Sequence, residues 1–168
     1  MSQKANDRRP SVQHVAVVGA TGHVGLEVVR ALLARGVRVR ALVRNPAKLA
    51  GLQGALDIRR VQVTEPDSIR DQLTGVDAVV SALGKTTQRG GASRRTVDVD
   101  ANLHLIAEAR RAGVRRFGFV SVAFADPSHP VAMVRMKGEV ERALGESGLE
   151  SVVVQPTGYF SDLWQLLE

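Results

Sequence analysis

The sequence predicts a doubly wound α/β domain: a parallel six-stranded sheet in the order 3-2-1-4-5-6, with helices on both faces. Two observations carry this. Short apolar runs alternate with amphipathic, helix-like stretches along the chain, and Gly36, Gly75, Gly113 and Gly148 stop the helices before the next strands. A continuous apolar run, Val15 to Val18, leads straight into Gly19-Ala20-Thr21-Gly22-His23-Val24-Gly25, as a strand buried on both faces does when it turns at once into a helix. In such a sheet the ligand lies beyond the carboxyl ends of the strands, where the order reverses between strands one and four.

The elements follow in order. Helix Leu26–Arg35 comes after the glycine turn, and its N-terminus near Gly22 aims unpaired N–H groups and partial positive charge at the turn. Val37–Val43 is strand two, ended by Arg44-Asn45-Pro46, and Pro46–Leu52 forms a short helix. Ile58–Val63 is strand three. A helix from Pro66 to about Leu73 follows, capped by Thr64-Glu65. Strand four, Asp77–Ser81, leaves through the small residues Ala82-Leu83-Gly84, and a polar loop spans 85–96. Helix Val97–Ala112, strand five Arg116–Ser121, helix Val131–Ser147 and strand six Ser151–Gln155 complete the alternation.

Composition narrows the class. A chain of 168 residues is expected to be one domain, long enough to bury about 70% of its unfolded surface. No apolar run approaches the ~18 residues of a membrane span, so no membrane role is expected. Residues 1–13 are polar and of mixed charge; they read as a disordered tail, not a signal peptide. The chain has no cysteine, which leaves neither a disulfide frame nor a thiolate zinc site and makes cytoplasmic residence the default. The net charge of +6 is spread over separate pairs such as Arg59-Arg60 and Arg110-Arg111, with few aromatics to stack on bases, so nucleic acid is not the expected partner. His14, His23, His104 and His129 share no ligand spacing, and no metal is expected. Leu83-Gly84-Lys85-Thr86-Thr87 imitates the end of a phosphate loop, but Val79 stands where its leading glycine would be.

The Gly19, Gly22, Gly25 spacing suits a dinucleotide pyrophosphate, since bare backbone can turn sharply and approach it closely; a βα turn without ligand is the alternative. An NAD site places an Asp or Glu about 20 residues past the glycines. No acid stands between Glu27 and Asp57, whereas Arg44 leaves strand two and Lys48 follows. A guanidinium there suits the 2′-phosphate of NADP, with Lys48 adding charge, so NADP(H) is expected over NAD(H). The alternative is a solvated arginine in a basic protein. The strand exits add Ala82, Leu83, Gly84, Ser121 and Pro156–Phe160 to the expected ligand contacts. His23 either touches the cofactor or fills the surface of the turn.

Four stretches together resemble the atypical short-chain dehydrogenase/reductases, specifically the NmrA-like NAD(P)-binding branch. They are Val18–Gly25, Arg40–Pro46, Ala112–Phe117 and Gln155–Phe160. The resemblance implies a Rossmann fold binding NADP(H), with Thr21, Gly22, His23 and Val24 on the pyrophosphate, Arg44 on the 2′-phosphate and the exit of strand four on the adenosine half. It also implies a Tyr-x-x-x-Lys pair. Lys137 fits the lysine, but Met133 stands for the tyrosine, and Ala123 aligns with an assisting hydroxyl. A thioether donates no proton, and a lost general acid is worth roughly 10²–10⁴ in rate. Tyr159 either supplies that acid or packs on a neighbour, and Lys137 is either catalytic or a solvated helix lysine. A quinone-type acceptor would let solvent supply the proton.

Two functions follow. One is an NADP-dependent oxidoreductase acting on a small carbonyl or quinone-type acceptor, with Lys137 and Tyr159 at the nicotinamide; the other is a non-catalytic NADP(H)-sensing regulator. The same missing tyrosine weakens an epimerase or dehydratase. The resemblance further implies a smaller C-terminal lobe over the substrate. With the chain ending at Glu168, that lobe is expected to be absent or truncated. Phe160, Leu163, Trp164, Leu166 and Leu167 would then form an apolar face for a second copy or another partner.

Overall fold

The computed structural model describes residues 11–84 and 92–159. Most of the expected tail, residues 85–91 of the 85–96 loop and the Trp164 face lie outside the described residues. Strands β1 (His14–Val18), β2 (Arg38–Val43), β3 (Leu56–Arg60), β4 (Ala78–Ser81), β5 (Arg116–Val120) and β6 (Glu150–Val154) form one parallel sheet. Its order is 3-2-1-4-5-6, as the sequence predicts. Helices α1 (His23–Ala34), α2 (Pro66–Ile69), α3 (Ala101–Arg111) and α4 (Ala132–Gly145) cross between strands.

The central strand explains why the sheet has two covered faces. Val15 and Val17 join Val29, Val39, Ala41 and Val43 in a core on the α1 side. Ala16 and Val18 face the other way, into a larger core with Leu105, Phe117, Phe119, Val140 and Leu144. An unbroken apolar run is what such a strand needs. Cover thins at the β6 edge: Val152 and Val154 pair in register with Gly118 and Val120, and both remain exposed. Among the described residues no helix is long and apolar enough to cross a membrane.

Three elements depart from the sequence reading, each for a local reason. Strand three is expected over Ile58–Val63 but lies at Leu56–Arg60. Ser68 Oγ accepts the Gln62 N–H at 2.9 Å and pulls the chain into a turn, leaving Val61 and Val63 buried in the core beyond the strand. The helix expected to reach Leu73 stops at Ile69, because Arg70 is extended and Asp71 takes a left-handed φ of 63°. Glu108 Oε1 accepts the Asp71 N–H at 2.8 Å, and Arg111 pairs with the Asp71 carboxylate, which fixes that turn. The short helix after Pro46 is a 3₁₀ turn, Ala47–Leu49. Before α3, Thr96–Asp100 winds as a π-helical turn, a widening often found at functional sites.

The amino end of the sheet is closed by a buried histidine. Asp77 Oδ2 accepts the N–H groups of Gln13 and His14, both at 2.9 Å, so ordered hydrogen bonding reaches back to Gln13. His14 Nδ1 donates to Gly75 O at 2.9 Å, which leaves Nε2 as a buried lone pair without a partner. Burial holds His14 below the ordinary imidazole range, with Arg40 and Arg38 adding repulsion. The unfolded chain, titrating near 6.5, therefore takes up this proton first as pH falls. The stability contributed by neutral His14 is present above that pH and is lost as pH drops below it. Urea unfolding should show a falling midpoint from pH 7.5 to 5.0, and His14→Gln should flatten that part of the profile. An unchanged slope in the variant would place the effect on another group.

Candidate cofactor site at the carboxyl ends of the strands

The site begins with three glycines doing three different jobs. Gly19 has φ +79°, and a Cβ there would lie 2.8 Å from Ala82 O. Gly22 caps α1 in an extended conformation and donates its N–H to Gly19 O at 2.9 Å. Gly25 lies against the turn itself: a Cβ would stand 2.1 Å from Gly19 O and 2.7 Å from Gly19 C. The first helical bond runs from the Leu26 N–H to Gly22 O, so those of His23, Val24 and Gly25 have no acceptor within the helix. No acidic side chain occupies this first turn. The result is a bare, positively polarised backbone cradle suited to a phosphate.

Around the cradle the structure gathers the exits of β1, β2, β4, β5 and β6, as the topology requires. Ala82 N–H donates to Val18 O at 2.9 Å, which holds the Ala82-Leu83-Gly84 segment beside the glycine turn. Thr21 and Val24 are half-buried and His23 is exposed. Arg44 follows β2 directly and is exposed, as is Lys48 in the 3₁₀ turn. Arg60, overlooked in the sequence, pairs in register with Val43 and so ends β3 beside Arg44. Arg40, Arg59, Arg95, Arg111 and Arg116 each meet a carboxylate, whereas Arg44, Lys48 and Arg60 meet none among the described residues. Gln62, just past β3, has a buried Oε1 acceptor with no partner, a second residue that sequence reasoning missed.

At the other end Lys137 is buried, not solvated. Its Nζ donates to Leu83 O at 2.8 Å and Val120 O at 2.9 Å, tying the exits of β4 and β5 together, and sits 4.7 Å from the centre of the Phe119 ring. Burial lowers its ammonium to about 8, with Asp98 and Glu141 acting the other way. Met133, one turn earlier, is partly exposed. Ser121 is buried with an unpartnered Oγ, Pro156 O accepts the Ala123 N–H at 2.9 Å, and Tyr159 is half-buried past β6. Sequence reasoning also missed the polar support beneath: Ser81 Oγ donates to Asn102 Oδ1 at 2.6 Å, and Asn102 Nδ2 to Asp98 O at 2.9 Å. Buried polar residues interrupting an amphipathic helix are the signal that marks them. Among the described residues no group of three metal-ligating side chains forms.

A glycine cradle that a Cβ would fill, with orphaned acceptors at Gln62 and Ser121, fits a nucleotide cofactor. A family model described as NAD(P)H-binding matches residues 19–162. The chain belongs to this NAD(P)H-binding family. It is 32% identical over 152 residues to the photosystem II assembly factor Ycf39 of Cyanophora paradoxa, covering 89% of this chain and 46% of that protein. It is 33% identical over 147 residues to the NAD(P)H azoreductase of Xenophilus azovorans, covering 87% and 48%. The crystal structure of an NADPH-dependent quinone oxidoreductase from Escherichia coli, in complex with NADPH, superposes with a TM-score of 0.69 at 25% identity, over 84% of this chain and 48% of that one. The chain spans about half the length of the curated relatives it matches.

The short-chain dehydrogenase/reductase resemblance and the Rossmann fold thus hold for this NAD(P)H-binding domain. A direct check is Gly25→Ala. The added methyl overlaps Gly19 backbone, and overpacking of this kind costs about 1–3 kcal/mol. Calorimetry should show cofactor binding lost, and urea unfolding should show stability reduced by that order. Retained binding would mean the turn is not the phosphate cradle.

Proposed function

We propose that this domain binds NADP(H) in preference to NAD(H) and serves reduction of a small carbonyl or quinone-type acceptor without a tyrosine proton donor. The carrying observation for the cofactor is Arg44: it leaves β2 beside Arg60, free of any carboxylate among the described residues, where the adenosine ribose is expected. Paired charge-assisted hydrogen bonds from a guanidinium favour a phosphate over a hydroxyl. Lys48 adds charge one short turn on. His23, Val24 and Gly25 offer backbone donors to the pyrophosphate, and Ala82 to Gly84 line the adenosine side.

When bound, the cofactor supplies a hydride. Lys137 ties the β4 and β5 exits together through two of its three ammonium N–H groups. A quinone that accepts a hydride and one proton becomes a hydroquinone, and solvent can provide that proton, so Met133 is no obstacle. For a carbonyl, the proton donor of this reading is Tyr159, past β6. Support also comes from the kinds of relative found, an azoreductase and a quinone oxidoreductase. The reading retains cytoplasmic residence.

A non-catalytic NADP(H)-sensing role is the second reading, favoured by Met133 and Ala123 at the positions where the resemblance implies catalytic hydroxyls. Calorimetric titration separates the cofactor preference from the chemistry. NADPH should bind more tightly than NADH, and Arg44→Ala should weaken NADPH by about tenfold or more while leaving NADH unchanged. Equal affinities in the parent protein would overturn the preference. Turnover of NADPH with quinones and small carbonyls, abolished in Lys137→Ala, supports the reductase; binding without turnover supports the sensor.

A further inference from the structure

The two faces of the sheet are not equally covered. Ile69 of α2, Leu105 of α3 and Val140 of α4 all pack on one side, with Phe117 and Phe119 of β5. The opposite side is covered by α1 and the 3₁₀ turn. Among the described residues its core draws on β1 to β4 but on neither β5 nor β6. One row of residues shows where that cover ends. Ala41, Val17, Val80, Gly118 and Val152 pair in register across β2, β1, β4, β5 and β6, and so share one face. Ala41 and Val17 are fully buried, Val80 and Gly118 half-buried, and Val152 is 64% exposed. In the next row of the same face Val154, paired with Val120, is 55% exposed.

Gly118 makes this face a groove. A Cβ there would find its three nearest atoms, at 3.5–3.9 Å, on Val79 and Val80 of β4, and none of the three on a covering helix. Glycine inside a strand weakens it and often marks where another element approaches closely. Between Val80 and Val152 it leaves room for a flat ring.

The chain carries a matching segment at the right place. β6 ends at Val154, Pro156 O accepts the Ala123 N–H, and the half-buried Tyr159 is the last described residue. Directly after it stand Phe160, Leu163, Trp164 and Leu167, at the i, i+3, i+4, i+7 spacing of one apolar helical stripe, with Ser161, Asp162 and Gln165 among them. As a helix, residues 160–167 would rise about 12 Å, and a five-residue strand such as β6 runs about 16 Å. Such a stripe has the length to lie along β6.

We propose that segment 160–168 docks on the α1-side face of β5 and β6, with an aromatic ring over Gly118 and its leucines against Val152 and Val154. The tether favours this occupant over a second copy. A segment joined directly to β6 meets the face at a millimolar effective concentration, whereas a second copy pays the full cost of association. The apolar stripe is thereby used within the chain, and the inference stands apart from the choice of cofactor or acceptor.

Trp164 is the single tryptophan of the chain, so its fluorescence reports the docking directly. We expect its emission in the parent protein to be blue-shifted and shielded from acrylamide, equally at low and high protein concentration. Val152→Lys places a charge on the face and should move the emission to that of a solvent-exposed indole, with far-UV circular dichroism unchanged. Leu103→Lys, at an exposed apolar position on α3, should leave the emission where it is. Solvent-exposed emission in the parent, shielding that appears only as concentration rises, or emission unmoved in a folded Val152→Lys protein overturns the inference. If Val152→Lys does not fold, Val152→Cys reads the same contact from the sheet side, since the chain has no cysteine of its own. Its thiol should react slowly with a disulfide reagent, and rapidly once Trp164→Lys is added. Equal rates in these two proteins overturn the inference as well.

Discussion

Everything at the carboxyl end of this sheet depends on how closely α1 approaches the backbone between Gly19 and Gly25. The 2.1 Å that would separate a Gly25 Cβ from Gly19 O leaves no room for any side chain. That approach brings the start of α1 onto the exit of β1, and the left-handed Gly19 lets the same turn lie against Ala82. The helix N-terminus and the exit of β4 are therefore both set against the backbone of Gly19. Apolar burial of β1 on both faces anchors the whole arrangement from below.

A second layer of polar bonds keeps the far half of the mouth in place. Ser81, Asn102 and the π-helical turn at Asp98 brace the β4 exit from the helical layer, and Lys137 bridges it to β5. Burying an ammonium costs free energy unless hydrogen bonds compensate. Two carbonyls and the Phe119 ring provide that compensation, and the lowered ammonium near 8 shows that the desolvation is only partly offset.

The fold was almost wholly legible in the sequence, because alternating apolar runs, stop glycines and the Gly19–Gly25 turn each reflect local physics. Boundaries slipped where a distant residue intervened. Ser68 ends β3 by taking the Gln62 N–H, and Glu108 with Arg111 ends α2 through Asp71, a contact some forty residues away in sequence. The close-packed turn was legible where it is backbone, at Gly19, Gly22 and Gly25. Arg60 was hidden by a two-residue error in the position of β3. Gln62, Asn102 and Asp98 were hidden because their roles come from burial, which spacing does not report.

Lys137 shows why a motif residue and a mechanism are separate matters. Its spacing to position 133 matches a catalytic pair, yet its two carbonyl bonds give it a structural task that survives the loss of the tyrosine. Removing the lysine would leave two carbonyls and the space between two strand exits unfilled, whatever the domain does with its cofactor. Its presence is therefore weak support for reductase chemistry on its own.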